Sequence, residues 1–241
     1  MMIDAFRLDK YNLFLIDMDD TLYEERDFVL SGLRAVAEHL GHRGADPEKA
    51  WRDLRQRFES TGRDRIFNHF LFDHFGERVS DADVAECVSV YRQHDPCIAL
   101  YPRVREILAG LREMGRIVVV TDGLPAVQRR KFLALGLDSM VDQLICCWDH
   151  APKPDPKSLD GVVTPNQKDA LYIGDDPTRD LPLAAALGID CIRVRTGRFA
   201  EIPGEPPHPM AELARFSDLR LLEDGLERAD QQRLAETARA R

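Results

Sequence analysis

The five cysteines of this 241-residue sequence, Cys87, Cys97, Cys146, Cys147 and Cys191, are odd in number and never fall in a CxxC pair. Neither a disulfide framework nor a zinc site is therefore expected. Long apolar runs are missing as well. No segment approaches the ~20 apolar residues of a membrane span, and the opening "MMIDAFRLDKYN" has no apolar core of about 7–15 residues such as a signal peptide carries. Positive charge is outweighed: 33 Lys and Arg against 42 Asp and Glu leave a formal net charge of -9 and a pI near 5.3. That balance argues against nucleic acid or an anionic membrane surface as partner, since both require a basic face. The seven histidines are scattered without metal-ligand spacing, and there is no internal repeat. What remains is the expectation of a cytoplasmic monomer or homodimer that acts on a small molecule.

What is present is enough apolar residue, 44% of the chain, for one substantial core or one core with a smaller satellite. Short apolar runs that stop at polar or glycine-rich residues recur: "LFLID" at 13–17, "IVVVTDG" at 117–123, "QLICCWD" at 143–149, "ALYIGDD" at 170–176 and "DCIRV" at 190–194. Apolarity without alternation suits strands buried on both faces, as in a parallel sheet. Cys146 and Cys147 are read as part of such a strand. Helical patterns lie between the runs. "PRVREILAGLREMG" opens with Pro102, closes at Gly115 and carries Val104, Ile107, Leu108 and Leu111 on one stripe. "LPAVQRRKFLALG" and "LPLAAALG" also close on glycine. The expected fold is α/β, a doubly wound parallel sheet with right-handed crossovers.

Residues 26–95 interrupt that alternation with four helical patterns, including an Asp46 N-cap before Pro47 and a Ser80/Asp83 capping pair. The expected organisation is a Rossmann-like core of residues 1–24 and 97–202, a helical insertion over 25–96, and a proline-rich connector with a helical tail over 203–241. The insertion is either an extension of the scaffold or a cap over the substrate, and its place in the chain favours the cap. Within it, Arg63, Arg65 and His69 stand among aromatics, a mixture suited to recognising the non-reacting part of a ligand.

The chemistry gathers where strands end. "LFLIDMDDTLYEE" follows its apolar run with Asp17, Asp19 and Asp20 and then Thr21. Thr121 closes the second core strand, Lys153 follows the third, and Asp175 follows "LYIG". Ligands of open parallel sheets bind at the carboxyl ends of strands, so these positions are expected to converge. Carboxylates about 4 Å apart repel by roughly 1–4 kcal/mol per pair between the water and surface-like limits. Such a cluster calls for a cation, and oxygen ligands point to Mg²⁺.

"DMDDT", "VVVTDG", "KP" at Lys153 and "GDDPTRD" resemble, in matching order, the four motifs of the haloacid dehalogenase-like hydrolase superfamily. The likeness spans roughly residues 11–198. The insertion after the first motif is similar to that superfamily's helical C1 cap, and the branch resembled is the subfamily I phosphatases. The resemblance implies Asp17 as nucleophile, forming an aspartyl-phosphate, and Asp19 as general acid and then base. It implies Thr121, with Asp122 and Gly123, as the phosphate-binding turn, and Lys153 as the group that neutralises nucleophile and phosphoryl oxygens. Mg²⁺ would be held by Asp17, Asp19 and Asp175. Asp176 is an alternative ligand, and Asp180 would orient metal waters or Lys153. Asp20 and Tyr23 are read as turn and flap residues. The implied function is a Mg²⁺-dependent phosphatase of a small monoester, a sugar phosphate or nucleoside monophosphate. A phosphomutase, a 2-haloacid dehalogenase and a non-catalytic binding protein are the alternatives.

Overall fold

The computed structural model describes residues 8–204 and 209–219. Six strands form one sheet in the order β3-β2-β1-β4-β5-β6, and every pairing is parallel. They are β1 (Leu13–Ile16), β2 (Arg116–Thr121), β3 (Gln143–Cys146), β4 (Ala170–Gly174), β5 (Asp190–Val194) and β6 (Ala211–Leu213). All residues of β1 and β4 are buried, which is why their sequences show continuous apolarity rather than alternation. β1 lies centrally, with Ile16 opposite Val119 on one side and Ile173 on the other. The ends of β1, β2 and β4 are thereby brought level.

The described residues divide into two compact units, one of residues before 25 and from 100 onward, the other of residues 25–99. In the first, α5 (Val104–Met114), α6 (Pro125–Ala134) and α7 (Asp180–Leu187) alternate with the strands. Leu13, Leu15, Val118, Val120, Tyr172, Leu183 and Leu187 belong to one core cluster of sheet and helix residues. On α5, Val104, Ile107, Leu108 and Leu111 are the buried positions, the stripe that the sequence spacing gives.

In the second unit, α1 (Glu25–Gly41), α2 (Pro47–Thr61), α3 (Ile66–Phe75) and α4 (Asp81–Gln93) stand where the four helical patterns lie. Asp46 accepts from the N–H groups of Glu48 and Lys49 before Pro47, and Ser80 with Asp83 forms a complete capping box. Val29, Leu33, Val36 and Leu40 of α1 share a core with Leu54, Phe67, Phe70 and Cys87.

Two expectations change. Cys146 ends β3, but Cys147 opens a short 3-10 turn, because the chain leaves the sheet there toward Lys153. The connector expected after 202 carries β6, three residues long and too short to announce itself beside so many prolines. The tail helix expected beyond it falls at residues 220–241, outside the described residues.

Candidate active site

Asp17 is the first residue beyond β1, and its N–H donates to Ile173 O of β4 at 2.9 Å. Thr121 is the last residue of β2 and Asp175 the first beyond β4. Lys153 reaches in from the loop after β3. Its Nζ donates to Asp17 Oδ1 at 2.6 Å and to Asp180 Oδ1 at 2.9 Å, and all three side chains are buried. Asp180, at the start of α7, is fixed further by the Tyr172 hydroxyl at 2.9 Å and the Asp176 N–H at 3.0 Å. Of the two tasks the resemblance offered Asp180, orienting metal waters or Lys153, this geometry is the contact with Lys153.

Carboxylate oxygens of Asp17, Asp175 and Asp180 lie within 4.8 Å of one another. Burial pushes the Asp175 carboxyl up to about 10, with Asp17 and Asp180 adding to the push. Burial also raises the Asp17 carboxyl well above its ordinary range; Lys153 pulls against this, and Asp180 adds to it. Burial acts to lower the Lys153 ammonium, yet Asp17 and Asp180 outweigh it and hold that group well above its usual value. One ammonium thus faces three buried carboxylates. A hard dication with oxygen preference fits this donor set: Asp17, which gives Lys153 only its Oδ1, and Asp175 would ligate it, while Asp180 is taken up by Lys153, Tyr172 and the Asp176 N–H.

Asp19, expected among the metal ligands, is not in that cluster. Its Oδ1 accepts from Lys131 Nζ at 2.8 Å and from the Tyr23 hydroxyl, and its Oδ2 from Gln128 Nε2 at 3.0 Å. Burial would raise this carboxyl, but Lys131, Tyr23 and Gln128 together hold it below the usual range. Two neighbouring carboxylates are therefore set apart, Asp17 pushed up by its burial and Asp19 held down by its partners. Tyr23, read as a flap residue, is buried and spends its hydroxyl on Asp19.

Asp122 was expected in the phosphate-binding turn. Its carboxylate forms a clasp: Oδ1 accepts from the Lys153 N–H at 3.0 Å and Oδ2 from Arg179 Nη1 at 2.8 Å, tying three loops together. Gly123 has φ +125, in the region that favours glycine, and Gln128 Nε2 donates to the Asp122 carbonyl beside it. The Thr121 hydroxyl is buried with no hydrogen-bond partner, as is that of Thr21. Leaving such a group unmatched costs about 1–3 kcal/mol, so a bound anion's oxygen would find a donor there. Asp176, the alternative metal ligand, accepts from the Thr178 N–H and hydroxyl at 2.8 and 2.7 Å and acts as a turn cap.

Lys131, Gln128, Arg179 and Tyr172 were not singled out from sequence. For the first two a signal exists: Gln128, Lys131, Phe132 and Leu135 recur at helical spacing, which puts Lys131 on the inward face of α6 while Arg129 and Arg130 are exposed.

Residues 11–188 match the model of the haloacid dehalogenase-like hydrolase family. The chain belongs to that family. Among curated proteins, the family member described here is 28% identical over 202 residues to a glyceraldehyde 3-phosphate phosphatase of Methanopyrus kandleri, covering 78% of this chain and 85% of the relative. It is 26% identical over 253 residues to a phosphoserine phosphatase of Thermus thermophilus, covering 86% and 96%. Among solved structures, the HAD hydrolase YfnB of Bacillus subtilis, bound to magnesium, superimposes with a TM-score of 0.62 at 21% identity, covering 87% of this chain and 96% of that one. At that identity the likeness is one of fold.

Proposed function

We propose that this hydrolase is a Mg²⁺-dependent phosphatase of small phosphate monoesters. The observation that carries the reading is the pair of buried carboxylates at the end of β1: Asp17 against Lys153, and Asp19 against Lys131 and Gln128. A dehalogenase has no leaving oxygen to protonate and no need of the second carboxylate. The names of the relatives, phosphatases of glyceraldehyde 3-phosphate and of phosphoserine, support the same class and favour a three-carbon ester over a larger one.

In this reading Asp17 attacks phosphorus while the bond to the leaving oxygen breaks, and Asp19, which Lys131 keeps ionised in the free protein, takes up a proton as substrate binds and gives it to that oxygen. Asp19 then takes a proton from water as the water attacks the aspartyl-phosphate, which releases inorganic phosphate and restores Asp17. Lys153 holds Asp17 in place and balances charge on the transferring group. The Thr121 hydroxyl donates to a phosphoryl oxygen. Mg²⁺, when bound by Asp17 and Asp175, supplies charge neutralisation of carboxylates and phosphoryl oxygens. We assign to the helical unit, inserted directly after the first motif, the selection of the leaving group. A cytoplasmic location belongs to the same reading.

The test is release of inorganic phosphate from a panel of glyceraldehyde 3-phosphate, phosphoserine, sugar phosphates and nucleoside monophosphates, with Mg²⁺ and with chelator. Metal-dependent release is expected, strongest for the small esters. Release of halide from a 2-haloacid, with no phosphate from any ester, would overturn the assignment.

A further inference from the structure

Arg193 is the largest fully buried side chain among the described residues, and no step above uses it. It sits on β5, opposite Gly174 of β4 and Glu212 of β6. A guanidinium with no access to water is tolerated only where its N–H groups are matched. Here the matches are backbone carbonyls around the site. Nε donates to Asp175 O at 3.3 Å, and Nη2 donates to Phe199 O at 2.8 Å and Ile202 O at 2.9 Å. Nη1 faces Glu212 Oε1 at 3.4 Å.

The turn that Arg193 grips has a second attachment, to the first motif. Thr196 Oγ1 donates to the Asp20 carbonyl, and the Arg198 N–H donates to Asp20 Oδ2 at 3.3 Å. Asp20 itself has φ 57, and a Cβ at Gly197 would collide with its carboxylate. One guanidinium therefore connects the Asp175 backbone, through the 196–202 turn, to the turn that follows Asp17.

We infer that Arg193 is a positioning residue that fixes the Asp175 turn against the Asp17–Asp20 turn, so that Asp17 and Asp175 can share one divalent cation. The inference rests on the metal reading proposed above. A planar fork reaches carbonyls in two directions at once, which a lysine ammonium on a flexible stem does not reproduce. Groups that orient metal ligands typically cost about 10–100-fold in metal affinity when removed.

The experiment is calorimetric titration of Mg²⁺ into wild type, Arg193→Lys and Thr196→Val without substrate, with melting temperatures taken in chelator. Wild type should bind Mg²⁺, and Arg193→Lys should bind it about 10–100-fold more weakly, with activity recovering as Mg²⁺ is raised. Thr196→Val keeps the guanidinium and removes the tie to Asp20, and should weaken Mg²⁺ in the same direction. An Arg193→Lys protein that melts lower in chelator yet binds Mg²⁺ with the wild-type Kd has lost only scaffold, and overturns the inference. Should Arg193→Lys not fold, Thr196→Val decides, and a wild-type Kd there overturns it equally. A wild type that binds no Mg²⁺ at all sinks the metal reading and this inference with it.

Discussion

Lys131 Nζ lies 2.8 Å from Asp19 Oδ1, a buried ammonium from α6 against the second carboxylate of the first motif. Without Lys131, burial of Asp19 would be opposed only by the hydrogen bonds from Tyr23 and Gln128. Lys131→Met should therefore raise the Asp19 pKa and move the Asp19 limb of the kcat/KM pH profile to higher pH. Loss of orientation should lower activity at neutral pH by about 10²-fold. Lys131→Arg keeps the charge and should keep the limb near its wild-type place. Superimposable profiles for wild type and Lys131→Met would remove Lys131 from the chemistry.

Asp175 gives a second prediction, for stability rather than rate. In metal-free protein its carboxyl is pushed up to about 10, whereas in an unfolded chain it titrates near 4. Between those values the folded chain holds the extra proton, so stability falls as pH rises from about 4 toward about 10. Asp17, raised by burial, acts in the same direction; Asp19, held low, loses its contribution only as pH falls below the ordinary carboxylate range. Chemical denaturation in chelator from about pH 5 to about pH 9 should show the decline. Asp175→Asn should flatten it. Mg²⁺ binds the deprotonated form, so the stabilisation it gives should grow with pH. Metal-free stability that rises across this range would contradict the electrostatics of the cluster.

The helical unit yields a third. Arg65 has φ 48, caps α3 without a side-chain hydrogen bond and is exposed. It lines a surface cavity of about 670 Å³ together with Asn68, His69 and Phe72. Arg63, which the sequence grouped with it, is instead paired with Glu25 at 3.0 Å. If the cavity takes part in recognition, Arg65→Ala should reorder kcat/KM across the ester panel. Stability should change by no more than about 0.5 kcal/mol, as for an exposed side chain. An unchanged ranking leaves Arg65 as a solvated residue.

The motif residues were legible because each follows a buried strand, where apolar runs end abruptly: Asp17 after "LFLI", Thr121 closing "RIVVVT", Asp175 after "ALYIG". Their convergence followed from parallel pairing, which aligns strand ends. The partners that tune those residues were harder to see. Lys131 stands in an "RRK" run whose members look alike until the helical period separates them, and Arg193 sits in a strand where its neighbours are apolar. The clasp at Asp122 depends on three loops whose spatial meeting no local pattern encodes. β6 was hidden because a three-residue edge strand has almost no periodicity to read.

The two carboxylates of "DMDDT" can be separated by role. With Asp17 as nucleophile, Asp17→Asn should form no phosphoenzyme: an amide oxygen is a poor nucleophile, and Lys153 would lose its 2.6 Å ion pair and keep the one to Asp180. Asp19→Asn should retain metal and substrate binding but lose the ~10²–10⁴-fold that a positioned proton donor contributes. Its defect should shrink with a nitrophenolate leaving group, which needs no proton. Hydrolysis of the aspartyl-phosphate should then become the slow step, because the base that activates water is gone. Rapid-quench mass spectrometry of the peptide containing "IDMDDT" should find a phosphoryl adduct on Asp17 accumulating in Asp19→Asn and absent from Asp17→Asn. An adduct on Asp19, or a loss in Asp19→Asn that is equal for every leaving group, would reverse the assignment of the two residues.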